Sequence, residues 1–191
     1  MVSISVVFSA DKDSANTFHA APVESYAHRQ SSEQVTVAAE EFETDEQARP
    51  AFGKHNPYKY GVLPVLLVVK NGTGKALRLE RLRAVYVMPD NTRVENTPAG
   101  ELRTLHGARV PKVVSSPLPG IGAKSRSGKQ PLSQWEIEGR AFTARVLPPG
   151  ETASGFVYFQ SGRKPGAMLY LSGIQEAASG RELLYFEIPL S

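Results

Sequence analysis

The sequence predicts an all-β chain: an antiparallel β-sandwich of about seven or eight strands from residue 34 onward, with one or two short helices. Three observations carry this. Apolar runs are short and strand-length, as in "GVLPVLLVVK" and "GFVYFQ". Gly/Pro-rich punctuation such as "PPGETAS" and "SGRKPG" recurs between them. No long amphipathic helical stripe occurs. Short strands at such spacing, bounded by turn residues, favour two packed antiparallel sheets.

The chain has 191 residues and no cysteine. That length suits one domain with an appendage, and a core large enough to need no staple. Without cysteine, disulfides, thiolate metal sites and a catalytic thiol are excluded. The net charge of +3 is unevenly spread. Residues 1–50 hold nine acids and three bases, 51–150 sixteen bases and six acids, and the remainder three bases and four acids. The acidic first part either folds onto the basic middle or forms a separate solvated face.

Residues 1–33 read as a signal remnant or an extended leader. "MVSISVVFSADK" resembles the tail of a secretory signal, although no Lys or Arg precedes Lys12; a first strand is the other reading. The rest of the leader has few core anchors, chiefly Phe18, Val23 and Tyr26. No run reaches the roughly 18 apolar residues a membrane helix needs, so no transmembrane segment is expected.

The domain proper is assigned to 34–191. "QVTVAAEEF" alternates with the strand period of two. In "TDEQARPAFG", Thr44 and Gln47 form a capping-box pattern; Pro50 holds the helix to a turn or two and Gly53 stops it. Val62 to Val69 is a strand apolar on both faces, and therefore deep in the domain. Pro64 predicts a bulge or an edge near its start. Asn71-Gly72 is a hairpin signal. Ala84 to Met88 and "TRVE" read as strands turned by "PDN". "RAFTARVL", "GFVYFQ", "AMLYLSG" and "ELLYFEIPL" complete the set.

Residues 97–134 interrupt this grammar. Their 38 positions hold five prolines, five glycines and no aromatic residue. Thr97-Pro98 opens a short helix at most; the rest reads as a loop insertion, and loops of that length are usually functional or disordered. Arg109, Lys112, Lys124, Arg126 and Lys129 make it basic, a candidate surface for an anionic polymer. Nucleic acid is disfavoured because stacking aromatics are missing. A second candidate ligand surface is the "HNPYKY" corner, with His55, Tyr58 and Tyr60.

Catalytic signatures are scarce. His19, His28, His55 and His106 lack metal-site spacing, and "GIGAKSRSGKQ" departs from a phosphate loop in glycine spacing and in Gln130. No GxSxG elbow occurs. Glu136 and Glu138, beside Trp135, are the carboxylates that an enzyme would use. No metal, cofactor or catalytic residue is assigned.

Two motifs then suggest a family. "YGVLPVLLVVKNGTGKALRL" and the downstream "LPPGETASGFVYF" resemble immunoglobulin-like domains of bacterial exported proteins, many of them lipoproteins of unassigned role. The matching positions are Leu67 to Asn71 and Pro148 to Phe159. The resemblance implies an immunoglobulin-like fold, an envelope location (periplasmic or extracellular) and a non-enzymatic binding or scaffolding role toward an envelope protein or anionic polymer. It assigns no catalytic residues, and the missing cysteine departs from the lipoprotein form. The alternatives are an enzyme or accessory domain acting on an envelope polymer, and a polyanion binder using the basic loop.

Overall fold

The computed structural model describes residues 18–103 and 137–190. These residues are predominantly β, in three antiparallel sheets. Sheet A has the order β1-β2-β3-β8, from β1 (Arg29–Ser32), β2 (Val35–Glu41), β3 (Leu63–Asn71) and β8 (Thr152–Phe159). Sheet B has the order β10-β4-β7, from β4 (Leu77–Arg78), β7 (Val146–Leu147) and β10 (Gln175–Glu176). Sheet C has the order β11-β9-β5-β6, from β5 (Arg83–Val87), β6 (Arg93–Glu95), β9 (Met168–Ser172) and β11 (Phe186–Pro189). The described residues thus hold eleven strands against the seven or eight expected. The excess comes largely from the two-residue strands of sheet B, too short to show a period.

β3 organises the core, and both of its faces are buried as the sequence predicts. Leu63, Val65, Leu67 and Val69 point into a cluster shared with Ala84 and Tyr86 of β5, Leu169 and Leu171 of β9, and Phe186 and Ile188 of β11. Sheets A and C therefore face each other across one core. Leu66 and Val68 point the other way, into a second cluster. That cluster is closed by helix α1 (Asp45–Phe52), by the 18–26 segment, and by Leu102 and Ile137. Phe156 sits at its centre, with ring centroids 4.9 Å from Phe42 and 4.7 Å from Phe52.

α1 forms as its sequence dictates. The Thr44 hydroxyl accepts from the Gln47 N–H and the Gln47 side chain accepts from the Thr44 N–H, completing the capping box. Gly53 ends the helix. Pro50 lies inside these eight residues, where it removes one main-chain bond. The hairpin β5–β6 is also as read, with Asn91 at φ 64° and the Asp90 side chain accepting from the Thr92 N–H.

The segment read as a leader contributes to the fold from residue 18. Val23 is buried, Phe18 and Tyr26 pack beside it, and β1 pairs with β2. The two-residue turn between β1 and β2 uses Glu33 and Gln34, both at positive φ (47° and 63°). This is the handed hairpin turn normally given to Asn or Gly. It is held from outside: the Glu33 carboxylate accepts from the Leu184 N–H and pairs with Arg181. The acids of the first fifty residues do meet later bases, with Glu24 on Lys70, Glu33 on Arg181, Glu41 on Arg163 and Asp45 on Lys59.

Two expectations for β3 are corrected. No bulge accompanies Pro64: the register with β8 runs unbroken from Leu63↔Phe159 to Lys70↔Thr152. Proline is tolerated because β2 ends at Glu41, so Pro64 uses only its carbonyl, accepting from the Phe42 N–H. Asn71-Gly72 does not turn a hairpin either, since β4 lies in a different sheet from β3. Gly72 is needed for close approach, because a Cβ there would stand 2.6 Å from the Gln34 carbonyl oxygen.

Asn71 is fully buried. Its amide nitrogen donates to the carbonyls of Lys75 (2.8 Å), Leu147 (3.0 Å) and Pro148 (2.9 Å). Its oxygen accepts from the backbone and hydroxyl of Thr73. Main-chain bonds to Gly150 and Glu151 complete the join. The "VKN" and "PPGE" motifs, 77 residues apart at Asn71 and Pro148, are thus one hydrogen-bonded unit.

Asn71→Ala is therefore expected to cost about 2–3 kcal/mol, from stranded buried carbonyls. Asn71→Asp is expected to cost more, because a carboxylate would face three carbonyl oxygens. Urea titration at unchanged m reads both. A loss under about 1 kcal/mol for Asn71→Ala would contradict this role.

Candidate functional site

Two regions gather polar groups with structural purpose or open access. The first lies where β2, β5 and the β8–β9 connection meet. Glu41 ends β2 on the core side, and its side chain is 4% exposed. Tyr86 Oη donates to its Oε1 at 2.9 Å and Arg163 Nε to its Oε2 at 2.8 Å. Tyr86 Oη accepts in turn from the Lys164 N–H, and Tyr58 Oη from the Arg163 N–H. Glu43 stands 3.7 Å from the same guanidinium.

Burial pushes the Glu41 carboxyl above its ordinary value, against the lowering effect of its two donors. Burial likewise raises Tyr86, reinforced by the carboxylate beside it. Both carboxylate oxygens are occupied, so the cluster works as a clasp between sheets A and C.

The predicted 55–60 corner abuts this clasp. Asn56 caps the 3-10 turn Pro57–Tyr60 and donates to the Glu43 carbonyl at 2.8 Å. Tyr58 is half-buried and committed to Arg163, whereas His55 and Tyr60 are exposed. The structure thus turns Tyr58 into a packing and hydrogen-bonding residue, and leaves its two neighbours on the surface.

The second region is the solvent face of sheet C. Alternation turns Ala84, Tyr86, Leu169, Leu171, Phe186 and Ile188 inward. It therefore turns Val85, Met168, Tyr170 and Glu187 outward, with Val87 on the same side but buried, and Glu187 opposite Tyr170. Val85 pairs with Tyr170 and Val87 with Met168. Tyr170 stacks on Tyr185 at 5.2 Å, and Tyr185 remains 51% exposed. Leu184, next in chain, is 63% exposed.

At the end of this face a groove of about 600 Å³ opens. One wall is the turn and strand start Glu80 to Arg83; the other holds Ser172, Gly173, Gln175 and Glu182. The walls touch at Gly173. Its φ is +83°, and a Cβ there would stand 2.0 Å from the Arg81 carbonyl oxygen. Glu182 braces the same residue, accepting from the Gly173 N–H at 3.0 Å.

Arg109, Lys112, Lys124, Arg126 and Lys129, with His106, Trp135 and Glu136, lie outside the described residues. Glu138 is half-buried beside Gly100, in the layer over the second face of sheet A. Among the described residues, no group of three or more His, Asp or Glu could hold a metal ion. No described helix is long and apolar enough to cross a membrane. Sequence reading missed the groove. Its only linear signal is the charged turn "LERLR", and its second wall lies some ninety residues downstream.

No family model matches this chain, and no curated protein is similar to it. A solved structure described as Northeast Structural Genomics Consortium target SoR45 aligns over 87% of this chain and 80% of its own, at 12% identity and a TM-score of 0.29. A likeness of that size supports no structural or functional conclusion.

Two carboxylates are expected to move stability in opposite directions with pH. Glu41 is raised when folded, so its contribution is complete below the unfolded value near 4.5 and declines as pH rises through the folded value. Glu176 is held down to about 2, chiefly by hydrogen bonds from Arg181, Ser179 and Lys75. Its contribution is complete above 4.5 and is lost as pH falls toward 2. Urea midpoints across pH 2 to 7 should show the acid limb made shallower in Glu176→Gln and unchanged in Glu41→Gln, with Glu24, Glu33, Asp45 and Asp90 supplying the rest of the limb. The decline just above 4.5, to which half-buried Glu40 also contributes, should shrink in Glu41→Gln and not in Glu176→Gln. Identical profiles for wild type and Glu41→Gln would remove the buried-carboxylate assignment.

Proposed function

We propose that this chain is a non-enzymatic, immunoglobulin-like binding domain of the bacterial cell envelope, and that it engages its partner through the solvent face of sheet C. The observation that carries this reading is the outward row of Met168, Tyr170 and Tyr185 with neighbouring Leu184. Single exposed apolar residues are normal on any surface; here Met168 and Tyr170 on β9 adjoin Leu184 and Tyr185 in the segment before β11, and such a grouping marks a contact surface. Tyr and Met are also the residues enriched at interface centres.

The immunoglobulin-like assignment is supported by two antiparallel sheets packed face to face, and by the bonding of the two sequence motifs through Asn71. Export rests on the apolar stretch before Asp11. The non-enzymatic reading is supported by the polar clasp, in which the buried carboxylate Glu41 has both oxygens committed within the fold.

A photoreactive residue at position 185 of the full chain, expressed in cells, is expected to give a discrete adduct. The same label at Lys54, on α1's side of sheet A, is expected to give none. Met168→Asp should suppress the adduct from position 185 at least about fivefold, since it puts a charge into the contact. No adduct from 185, or equal adducts from both positions, would reject the face.

A further inference from the structure

We propose that the groove at the end of sheet C is a receptor site for a short peptide carrying both a carboxylate and an ammonium group. The inference rests on the binding reading above and gives that face a ligand class.

Gln175 carries the argument. It is 9% exposed and lines the groove, and among the described residues its carboxamide meets no hydrogen-bond partner. Buried side-chain amides are almost always paired, as Asn56 and Asn71 are in this chain. A carboxamide offers two N–H donors and a carbonyl acceptor, the complement of a peptide group. A backbone amide laid into the groove would satisfy it on both counts.

The charges around it make the same case. Arg81, Arg83 and Glu80 line the groove, and among the described residues none has an ion-pair partner. Arg163 and Arg181, by contrast, meet carboxylates within the fold. Opposite charges held apart on one cleft suit a ligand that bears both signs. Guanidinium groups grip a carboxylate with two parallel bonds, and Glu80 is available for an ammonium. A pure polyanion fits less well, because Glu80 and Glu182 share the walls with the arginines. The groove is open along one side and offers about 600 Å³, room for a short peptide. The apolar shelf of Leu184 and Tyr185 follows Glu182 in the chain and would take an apolar side chain of the peptide.

The test titrates the ¹⁵N-labelled full chain with the tripeptide Lys-Leu-Glu bearing free termini. Saturable shifts are expected at the amides of Arg83, Ser172 and Gln175, with a dissociation constant between about 1 μM and 1 mM. The double variant Arg81→Gln/Arg83→Gln, at exposed positions that leave the core intact, should weaken binding at least about tenfold. Gln175→Leu should do the same, and its unchanged spectrum elsewhere would report an intact fold. Inorganic phosphate at equal concentration should leave the spectrum unmoved. Absence of shifts at about 10 mM peptide would overturn the proposal, as would phosphate binding as tightly as peptide. If the peptide fails while position 185 still gives its adduct, the binding face stands and only the groove assignment falls.

Discussion

The constraint on which this fold depends is the two-faced burial of β3. A strand apolar on one side can lie on the surface of a two-layer protein. A strand apolar on both sides needs a layer on each. Sheet C supplies one through Leu169, Leu171, Phe186 and Ile188. Among the described residues sheet B contributes nothing to the other. It is assembled from α1, the 18–26 segment and residues around Leu102 and Ile137, which gather on Phe156 and Leu66. This explains why the N-terminal segment is drawn into the domain. Without Val23 and Phe18 the second face of sheet A would stand partly in water. It also explains why so short a helix persists: Ala48, Ala51 and Phe52 are buried, and tertiary packing rather than propensity holds two turns together.

Apolar packing alone leaves the ends of the layers free to slide, and buried polar groups secure them. Asn71 binds the end of β3 to the turn before β8, and Glu41 binds the end of β2 to β5 and to Arg163. A third join, outside the core, links Glu33, Arg181, Glu176 and Lys75 across the β1–β2 turn and sheet B. The three differ in kind. Asn71 is neutral and saturated, so it stabilises at any pH. Glu41 pays for its burial with a raised proton affinity, whereas Glu176 gains from its partners and is held ionised. Such groups favour one arrangement of layers over others, because any shift strands a buried donor or acceptor.

What was legible in the sequence follows the range of the interactions concerned. α1 was readable to the residue because Thr44, Gln47 and Gly53 act within one short segment. The burial of β3 was readable because eight consecutive positions carry its pattern. The β1–β2 turn was not, since Glu33 and Gln34 take positive φ only under contacts from Arg181 and Leu184, some 150 residues away. Asn71-Gly72 was misread for the same reason: its turn-forming residues serve a buried amide and a close backbone approach. The bond of Tyr58 to Arg163 was not readable either, because nothing local reveals it. The groove was invisible because each wall alone is an ordinary charged turn.

The position of the groove also follows from the layering. Sheet C is wide enough to cover the inner face of β3, yet its strands β5 and β9 both end near sheet B. There the chain leaves β5's start through the turn at Glu80 and leaves β9's end through Gly173. Two chain segments that diverge from adjacent strands must leave a cleft unless side chains fill it. Here the contact at Gly173 pins the base of the cleft, and Arg81, Arg83 and Gln175 line it without filling it. The apolar row on the adjoining face continues from that cleft along β9, at Tyr170 and Met168. Polar cleft and apolar row therefore form one continuous surface, held rigid by the sheet whose other face is the core.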